Sequence, residues 1–387
     1  MIAYSSKIVL DDQKRHINTL SITSTSPCNS SPAPAVLLHG YGAGLGFFFK
    51  NFSALGEWAS SRRSSVYAID WLGMGRSARV PFVVNAKRDD IPGRVRESEA
   101  FFIDSLEEWR EKMKLEKMTL VGHSLGAYMS VAYALKYPTR VSRLVLLSPA
   151  GVPRDPNTTV PSREVTDDQT DEPDYVSVDD AQLATKAKVE EIKSEQRNQG
   201  RRQGKLWKVF TYLWEEGWSP FQVVRSAMWY GPILVGKYAS RRFSGFSEEE
   251  TREMHDYILN ITLAKGSGEY CICEWLHSFS GVRSADDHDS SAAHILAPGA
   301  HARLPLVDRV AGLKIPITFA CKFPSSPDAI FILIRFSSDG DSDWMDPEGG
   351  AKAIENLKSA GNNQSRLYTV KHAGHHRKLL PLGAQFA

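Results

Sequence analysis

The sequence predicts an α/β fold with a doubly wound, mostly parallel sheet and a helical lid inserted between its later strands. Short strand-like runs alternate with helical segments from residue 17 to residue 147, as in parallel sheets. After Gly151 the pattern stops, and a polar, charged stretch leads into an aromatic-rich helical block. Strand character returns at Ile315, which places that block between two parts of one sheet.

Each strand is predicted from a short apolar or β-branched run that ends in turn-forming residues. These runs cover residues 17–22, 35–38, 65–69, 118–121, 141–147, 315–321 and 365–370. Helices are predicted from apolar periodicity and capping signals. They cover residues 97–114, 127–136, 247–260 and 351–359. Gly231 and Pro232 read as a break within the aromatic block.

Length, charge and cysteine content limit the class of protein. A chain of 387 residues suits one large α/β domain with an insertion, and a net charge of +2 gives no electrostatic case for nucleic acid. The four cysteines have neither metal-binding spacing nor a disulfide framework, which favours a reducing compartment. No signal peptide or other targeting segment is visible, and no apolar run is long enough to span a bilayer. We therefore expect an intracellular protein.

The motif Gly122-His123-Ser124-Leu125-Gly126 lies between a predicted strand and a predicted helix. This is the context of a nucleophile elbow, the tight turn that exposes the reactive serine in α/β hydrolases. Gly122 and Gly126 remove side chains that would collide in such a turn, and the helix N-terminus favours developing negative charge. Ser124 is therefore the predicted nucleophile; a chance glycine-rich loop is the alternative.

A second glycine-rich segment, His39-Gly40-Tyr41-Gly42, follows the predicted strand 35–38. In α/β hydrolases such a segment supplies the second donor of the oxyanion hole. We predict that the backbone N–H groups of Tyr41 and Leu125 form this hole. Gly40 and Gly42 would let the backbone approach the substrate oxygen; the alternative is a plain turn.

Asp70 begins a further loop, Asp70-Trp-Leu-Gly-Met-Gly-Arg-Ser77, and is predicted to organise that loop and not to take part in catalysis. The phenylalanines at positions 47–49 and 52 are predicted to be core or pocket-wall residues.

The acid and the base are expected after the last two predicted strands, in the chain order Ser, Asp, His. Asp341, Asp343 and Asp346 compete as the acid, and the Gly-x-x-Asp spacing favours Asp343. A carboxylate there would hold the imidazole that takes the serine proton.

For the base, His375, which follows Gly374, is favoured over His372 and His376. His39 and His123 adjoin the two motifs and are interpreted as structural. This chemistry needs no metal and no organic cofactor.

The aromatic block is predicted to be the lid. Trp207, Phe210 and Trp214 are spaced along one helical face beside basic residues. Such a face suits long acyl chains and a membrane surface. Packing of these aromatics onto the body is the alternative, and both can hold.

Six stretches resemble one α/β-hydrolase subfamily: HGYGAGLGFFFKNF, YAIDWLGMGRSAR, FFIDSLEEWR, GHSLGAY, GDSDWMD and HAGHH. This subfamily contains the fungal mitochondrial cardiolipin-specific deacylases. It also contains animal lysophospholipase-type and lipid-droplet co-activator proteins with a His-x-x-x-x-Asp acyltransferase motif. The resemblance covers roughly residues 14–153, 205–271, 294–321 and 339–376.

The resemblance implies phospholipid or lysophospholipid substrates, with Ser124, Asp343 and His375 at the triad positions. It implies a peripheral location on a mitochondrial membrane, with a lipid droplet or the cytoplasm as alternatives. Acyl transfer to lysophosphatidic acid and non-catalytic lipase co-activation are the rival functions. The co-activator branch has asparagine at the nucleophile position, and the serine of this chain argues against that role.

Three departures from the subfamily pattern qualify the predicted organisation. Residues 272–293 and 322–338 read as inserts, and the sequence after His376 contains no acyltransferase Asp and no final helix. All three are expected to be translated intron or reading-frame errors that impair activity. The predicted parts are the first part of the core at 14–152, a polar linker at 153–204, the lid at 205–312 and the second part of the core at 313–387.

Overall fold

A mixed eight-stranded sheet forms the centre of the protein, with strand order β1-β2-β4-β3-β5-β6-β7-β8. The computed structural model describes residues 2–24, 32–87, 89–152, 219–227, 229–243, 246–266, 294–296, 302–322 and 347–370. The strands are β1 (Ile2–Val9), β2 (His16–Thr23), β3 (Ala35–Leu38), β4 (Ser65–Ile69), β5 (Met118–His123), β6 (Val141–Leu147), β7 (Ile317–Lys322) and β8 (Arg366–Val370). β2 pairs antiparallel with β1 and β4, and the remaining pairs are parallel. The predicted fold class is confirmed.

The helices in chain order are α1 (Phe52–Ser61), α2 (Ile91–Lys112), α3 (Leu125–Lys136), α4 (Pro220–Ser226), α5 (Tyr230–Arg242), α6 (Glu248–Leu263), α7 (Leu306–Arg309) and α8 (Pro347–Ser359). α2 begins before the predicted residue 97. Asp90 caps it, with Oδ1 accepting from Gly93 N at 2.9 Å, and a proline follows in the first turn. Proline is accommodated there because its missing N–H would have no intrahelical partner.

The sheet is covered on both faces, as expected for parallel strands. All four residues of β3 are buried, and they alternate between two apolar clusters. Val36 and Leu38 belong to the cluster that includes residues of α2, α3 and α8, whereas Ala35 and Leu37 belong to the cluster that includes residues of α1. β3 is thus a central strand, and the chain that leaves it is held firmly.

Helices α4, α5 and α6 form the described part of the lid around an apolar cluster of their own, which includes Val235, Phe243 and Ile258. α6 starts with the predicted serine cap: Ser247 Oγ accepts from Glu250 N, and the Glu250 side chain accepts from Ser247 N. The predicted break in the aromatic block lies just before Gly231 and Pro232, because α4 ends at Ser226 and α5 begins at Tyr230. Gly231 and Pro232 lie in the first turn of α5, where proline is tolerated.

The chain returns from the lid to the body earlier than predicted. Residues 294–296 and 302–312 were assigned to the lid, but Ile295, Leu306 and Val310 are buried in the main cluster. Arg309 also forms a bidentate pair with Glu99 of α2, at 2.6 and 2.9 Å. At the other end, the sheet starts at Ile2 and not at residue 14. Most residues of β1 are exposed, so its sequence lacks the apolar pattern of a buried strand.

Of the two predicted inserts, residues 272–293 lie outside the described part of the chain. So do residues 323–338, whereas Lys322 is the last residue of β7 and pairs with Val370 of β8. The described helices include none that is both long and apolar enough to cross a membrane.

Candidate active site

Ser124 occupies the tight turn between β5 and α3, as predicted. Its backbone has φ 55° and ψ −119°, a conformation that is costly for a residue with a Cβ. Hydrogen bonds hold it there. Ser124 N donates to Leu147 O at 2.9 Å, and its carbonyl accepts from Ala127 N and Ala150 N at 3.0 and 3.1 Å. The turn therefore presents the serine at the carboxyl end of β5 in a fixed backbone geometry.

Gly122 and Gly126 are both required by close backbone approach. A Cβ on Gly122 would lie 2.5 Å from Gly126 O, and a Cβ on Gly126 would lie 2.2 Å from Leu38 O. Real Cβ atoms do not come so near to backbone oxygens. Glycine at these positions lets the first turn of α3 pack directly onto the ends of β3 and β5, which agrees with the predicted role of both residues.

The predicted oxyanion loop lies beside the nucleophile because β3 and β5 are neighbouring parallel strands. Leu38 pairs with Gly122, so the residues that follow each strand meet at one edge. A Cβ on Gly40 would lie 2.9 Å from Ser124 Cβ and 3.3 Å from its Oγ. Tyr41 is the next residue, and the N–H of Leu125, as the first residue of α3, has no carbonyl partner within the helix. The two proposed donors thus flank the serine.

Asp70 organises its loop, as predicted. Its carboxylate is completely buried and accepts from Asn18 Nδ2, Leu45 N and Arg76 N at 2.8, 2.7 and 2.9 Å. These bonds join β2, the loop after β4 and the start of the 3₁₀ helix Leu45–Asn51. A Cβ on Gly75, which has φ 52°, would lie 2.3 Å from Asp70 Cγ, so the loop closes tightly around the carboxylate.

His39 is structural, and its hydrogen bonds define its tautomer. Nε2 accepts from Trp71 N at 3.1 Å, so the proton lies on Nδ1, which donates to Gly40 O at 2.8 Å. Burial lowers the pKa of His39, and the Asp70 carboxylate, 3.8 Å from Nε2, opposes this shift. The neutral ring therefore fixes the carbonyl of Gly40 beside Ser124. His123 is the buried last residue of β5.

The lid rests directly on the oxyanion loop. The rings of Tyr41 and Phe221 are 5.3 Å apart, and a Cβ on Gly42, which has φ 67°, would lie 2.1 Å from Phe221 Cζ. Tyr257 of α6 accepts a hydrogen bond from Gly46 N at 3.1 Å through its hydroxyl. A narrow cleft remains between the oxyanion loop, the Asp70 loop and the lid, and it is lined by Gly42, Met74 and Phe221 among others.

Two further contacts hold α6 on the body, and sequence reasoning missed both. Lys50 pairs with Glu250 in the first turn. At the other end Arg79 donates to Ile261 O and Lys265 O at 3.2 and 2.8 Å. The partners are far apart in sequence, so no local pattern could reveal them.

The phenylalanines predicted as core or pocket-wall residues pack against different parts of the protein. Phe48 is buried in the body, whereas Phe47 and Phe49 pack against the lid cluster.

The remaining predicted site residues lie outside the described part of the chain. These are the triad candidates Asp343 and His375, and the lid aromatics Trp207, Phe210 and Trp214. The strands that precede the predicted acid and the predicted base, β7 and β8, run parallel to β5 and end at the same edge of the sheet as Ser124. Within the described ranges, no group of three or more His, Cys, Asp or Glu residues could hold a metal ion.

Comparison with known proteins agrees with this geometry. Residues 34–192 match a family profile described as alpha/beta hydrolase fold. A 1-acylglycerol-3-phosphate O-acyltransferase of Arabidopsis thaliana is 31% identical over 355 residues, which is 90% of this chain and 63% of the relative. The 1-acylglycerol-3-phosphate O-acyltransferase ABHD5 of Rattus norvegicus is 46% identical over 128 residues, 33% of this chain and 32% of the relative.

A human (lyso)-N-acylphosphatidylethanolamine lipase is 29% identical over 269 residues, 69% of this chain and 63% of the relative. The chain thus spans less than two thirds of the length of each of these relatives.

Proposed function

Since this chain has an α/β-hydrolase fold, we propose that it is a serine-dependent hydrolase of acyl esters in phospholipids or lysophospholipids. The observation that carries the proposal is Ser124, held with a positive φ at the carboxyl end of β5 with the oxyanion loop against it. Backbone strain of this kind is retained where the turn has a role in catalysis.

In the proposed reaction Ser124 Oγ attacks the acyl carbonyl carbon while His375 takes its proton. Asp343 holds the imidazole in the required tautomer. The N–H groups of Tyr41 and Leu125 stabilise the oxyanion of the tetrahedral intermediate, each contributing about 3–4 kcal/mol. Collapse of the intermediate expels the lipid alcohol with the proton from His375, and water then releases the fatty acid by the same steps.

Two observations support a lipid substrate. The lid presents apolar and aromatic residues around the oxyanion loop, among them Phe221, which suits an acyl chain. The three relatives are named for reactions of acylated glycerophospholipids or of N-acylphosphatidylethanolamine. We extend the proposal to cardiolipin-type substrates and lipid remodelling at the surface of a mitochondrial membrane or a lipid droplet, on the resemblance alone.

Acyl transfer is the second candidate, and the names of the Arabidopsis thaliana and Rattus norvegicus relatives favour it. It uses the same acyl-serine intermediate but delivers the acyl group to lysophosphatidic acid and not to water. Non-catalytic co-activation of a lipase remains a third candidate, which the intact serine disfavours.

Product analysis on defined lipids tests the proposal. Purified protein is incubated with cardiolipin, phosphatidylcholine, N-acylphosphatidylethanolamine or a lysophospholipid, and with lysophosphatidic acid plus acyl-CoA. We expect release of fatty acid that Ser124→Ala reduces by about a millionfold. Phosphatidic acid as the main product would favour the transferase, and release that persists in Ser124→Ala would refute a serine mechanism.

The choice of acid is tested with the same substrates. Asp343→Asn should lower turnover far more than Asp341→Asn or Asp346→Asn, because loss of the carboxylate leaves the imidazole in the wrong tautomer. A larger loss in either of the other two variants would transfer the role of acid to that residue.

A further inference from the structure

We propose that the outward face of α5 is a docking surface for an anionic lipid bilayer or monolayer. The α5 face is defined here as Trp229, Tyr230, Ile233, Leu234 and Lys237. The proposal deepens the proposed function, because it identifies the part of the chain through which a lipid hydrolase would meet its substrate surface.

The α5 face exposes large apolar side chains to an unusual degree. Trp229 is 84% exposed, Tyr230 70% and Ile233 53%, and Leu234 is also exposed. Tyr230, Ile233 and Leu234 have the helical spacing i, i+3, i+4, so they lie on one side of the helix. Single exposed apolar residues are common on protein surfaces, whereas a contiguous group of this size indicates an interaction site.

The opposite side of α5 already has an apolar partner. Val235 and Ala239 are buried in the lid cluster, which packs against Phe47 and Phe49 of the body. A surface helix normally buries one apolar stripe and presents polar residues outward. Because α5 is apolar on both sides, the outward side requires an apolar environment other than the body of the protein.

The chemistry of the face favours lipid over protein. Tryptophan and tyrosine are the residues that settle at the boundary between headgroups and acyl chains, since their rings are amphipathic. The sequence of α5, YGPILVGKYASRR, contains three basic residues and no acidic one. Lys237 lies one turn after Ile233 and is exposed. An aromatic and aliphatic face with an exposed lysine at its border is the pattern of a helix that lies in an anionic lipid surface.

Docking on this face would bring the active site to the lipid. α5 packs against α4: a Cβ on Gly231 would lie 2.7 Å from Val224 O, and Tyr230 N donates to Ala227 O at 2.9 Å. α4 in turn contacts the oxyanion loop through Phe221. A lipid layer beneath α5 would therefore lie next to the helix that packs on the oxyanion loop.

Vesicle flotation tests the proposal with a matched control. The full chain carrying Ser124→Ala is mixed with vesicles of phosphatidylcholine and phosphatidylglycerol, so that binding is measured without hydrolysis. The test variant is Tyr230→Ala with Ile233→Ala. The control is Tyr4→Ala with Ile2→Ala on β1, where the same residue types are 49% and 55% exposed. We expect about tenfold weaker partitioning or more for the test pair, and less than about twofold change for the control pair.

A charge variant distinguishes binding to an anionic lipid surface from non-specific hydrophobic adsorption. Lys237→Glu should weaken binding to the mixed vesicles severalfold, and should change binding to pure phosphatidylcholine vesicles little. Equal partitioning of the test and control pairs would overturn the proposal. So would gel filtration that shows a dimer which the test pair dissociates, because a second copy would then cover the face.

The outcome is independent of the proposed function. Flotation without any hydrolysis by the wild-type chain would refute the enzyme and leave the docking surface intact. Hydrolysis by a wild-type chain that does not float with the vesicles would support the enzyme and refute the docking surface.

Discussion

Replacing Ser124 with glycine should make the protein more stable than replacing it with alanine, although both changes remove the proposed nucleophile. Ser124 adopts φ 55° and ψ −119°, where a Cβ collides with its own backbone and glycine does not. Alanine keeps the Cβ and therefore the strain. The two variants share the loss of the hydroxyl, so their difference isolates the backbone conformation.

The magnitude follows from two opposing contributions. Residues in sparsely populated regions of φ/ψ space cost about 1–3 kcal/mol, which glycine would recover. Glycine also gains freedom in the unfolded chain, which costs about 0.5–1 kcal/mol. Since the bonds from Ser124 to Leu147, Ala127 and Ala150 involve backbone atoms, both variants retain them. We expect Ser124→Gly to exceed Ser124→Ala in free energy of unfolding, by up to about 2.5 kcal/mol.

Equilibrium unfolding in urea measures this difference, provided that the slope of the transition is the same in both variants. Ser130 supplies the control, since it lies in the interior of α3 with ordinary helical neighbours. There the order should reverse, with Ser130→Gly less stable than Ser130→Ala by about 1 kcal/mol. If Ser124→Gly were the less stable of its pair, the strained elbow would be refuted.

Three other changes test the surroundings of the serine. Gly126→Ala should cost about 1–3 kcal/mol of stability and most of the proposed esterase activity, because its Cβ would meet Leu38 O at 2.2 Å; unchanged urea unfolding would contradict this packing. His39, whose pKa burial lowers from 6.5, stays neutral when the unfolded chain becomes protonated, so the free energy of unfolding should fall as the pH drops below 6.5. His39→Gln should flatten that fall by up to about 1.4 kcal/mol per pH unit, and an identical pH profile would oppose the buried neutral ring. Tyr257→Phe should cost about 1 kcal/mol in urea unfolding because Gly46 N loses its acceptor, and a neutral result would show that this bond does not hold the lid.

The central part of the fold could be predicted from the sequence because its signals are local. β3 and β4 match the predicted limits, since both strands are short apolar runs between turn residues. The elbow could also be predicted, because its glycine and serine spacing is local and Gly122 is required by Gly126 O within the same strand–turn–helix unit. The approach of Gly126 to Leu38 O of β3 is a long-range contact that the motif does not show. The role of Asp70 followed from its position after a strand, although its partners on β2 did not.

Features that depend on long-range packing could not be read in this way. Tyr257 binds Gly46 N, in the 3₁₀ helix after the oxyanion loop, from a position more than two hundred residues away, and nothing in its local sequence distinguishes it from other tyrosines. The segment 302–312 precedes the next predicted strand and so falls within the predicted lid, yet Leu306 and Val310 pack into the body. β1 was missed because an exposed edge strand lacks an apolar pattern.

Covalent labelling with a fluorophosphonate tests the central claim, that Ser124 is an activated nucleophile, most directly. Such a reagent reacts with a serine only where a base removes its proton and an oxyanion hole receives the phosphonyl oxygen. Intact-mass and peptide mass spectrometry of the folded chain should show a single adduct on Ser124, which urea or Ser124→Ala abolishes. The absence of an adduct from the folded chain, or an adduct that persists in Ser124→Ala, would contradict the claim.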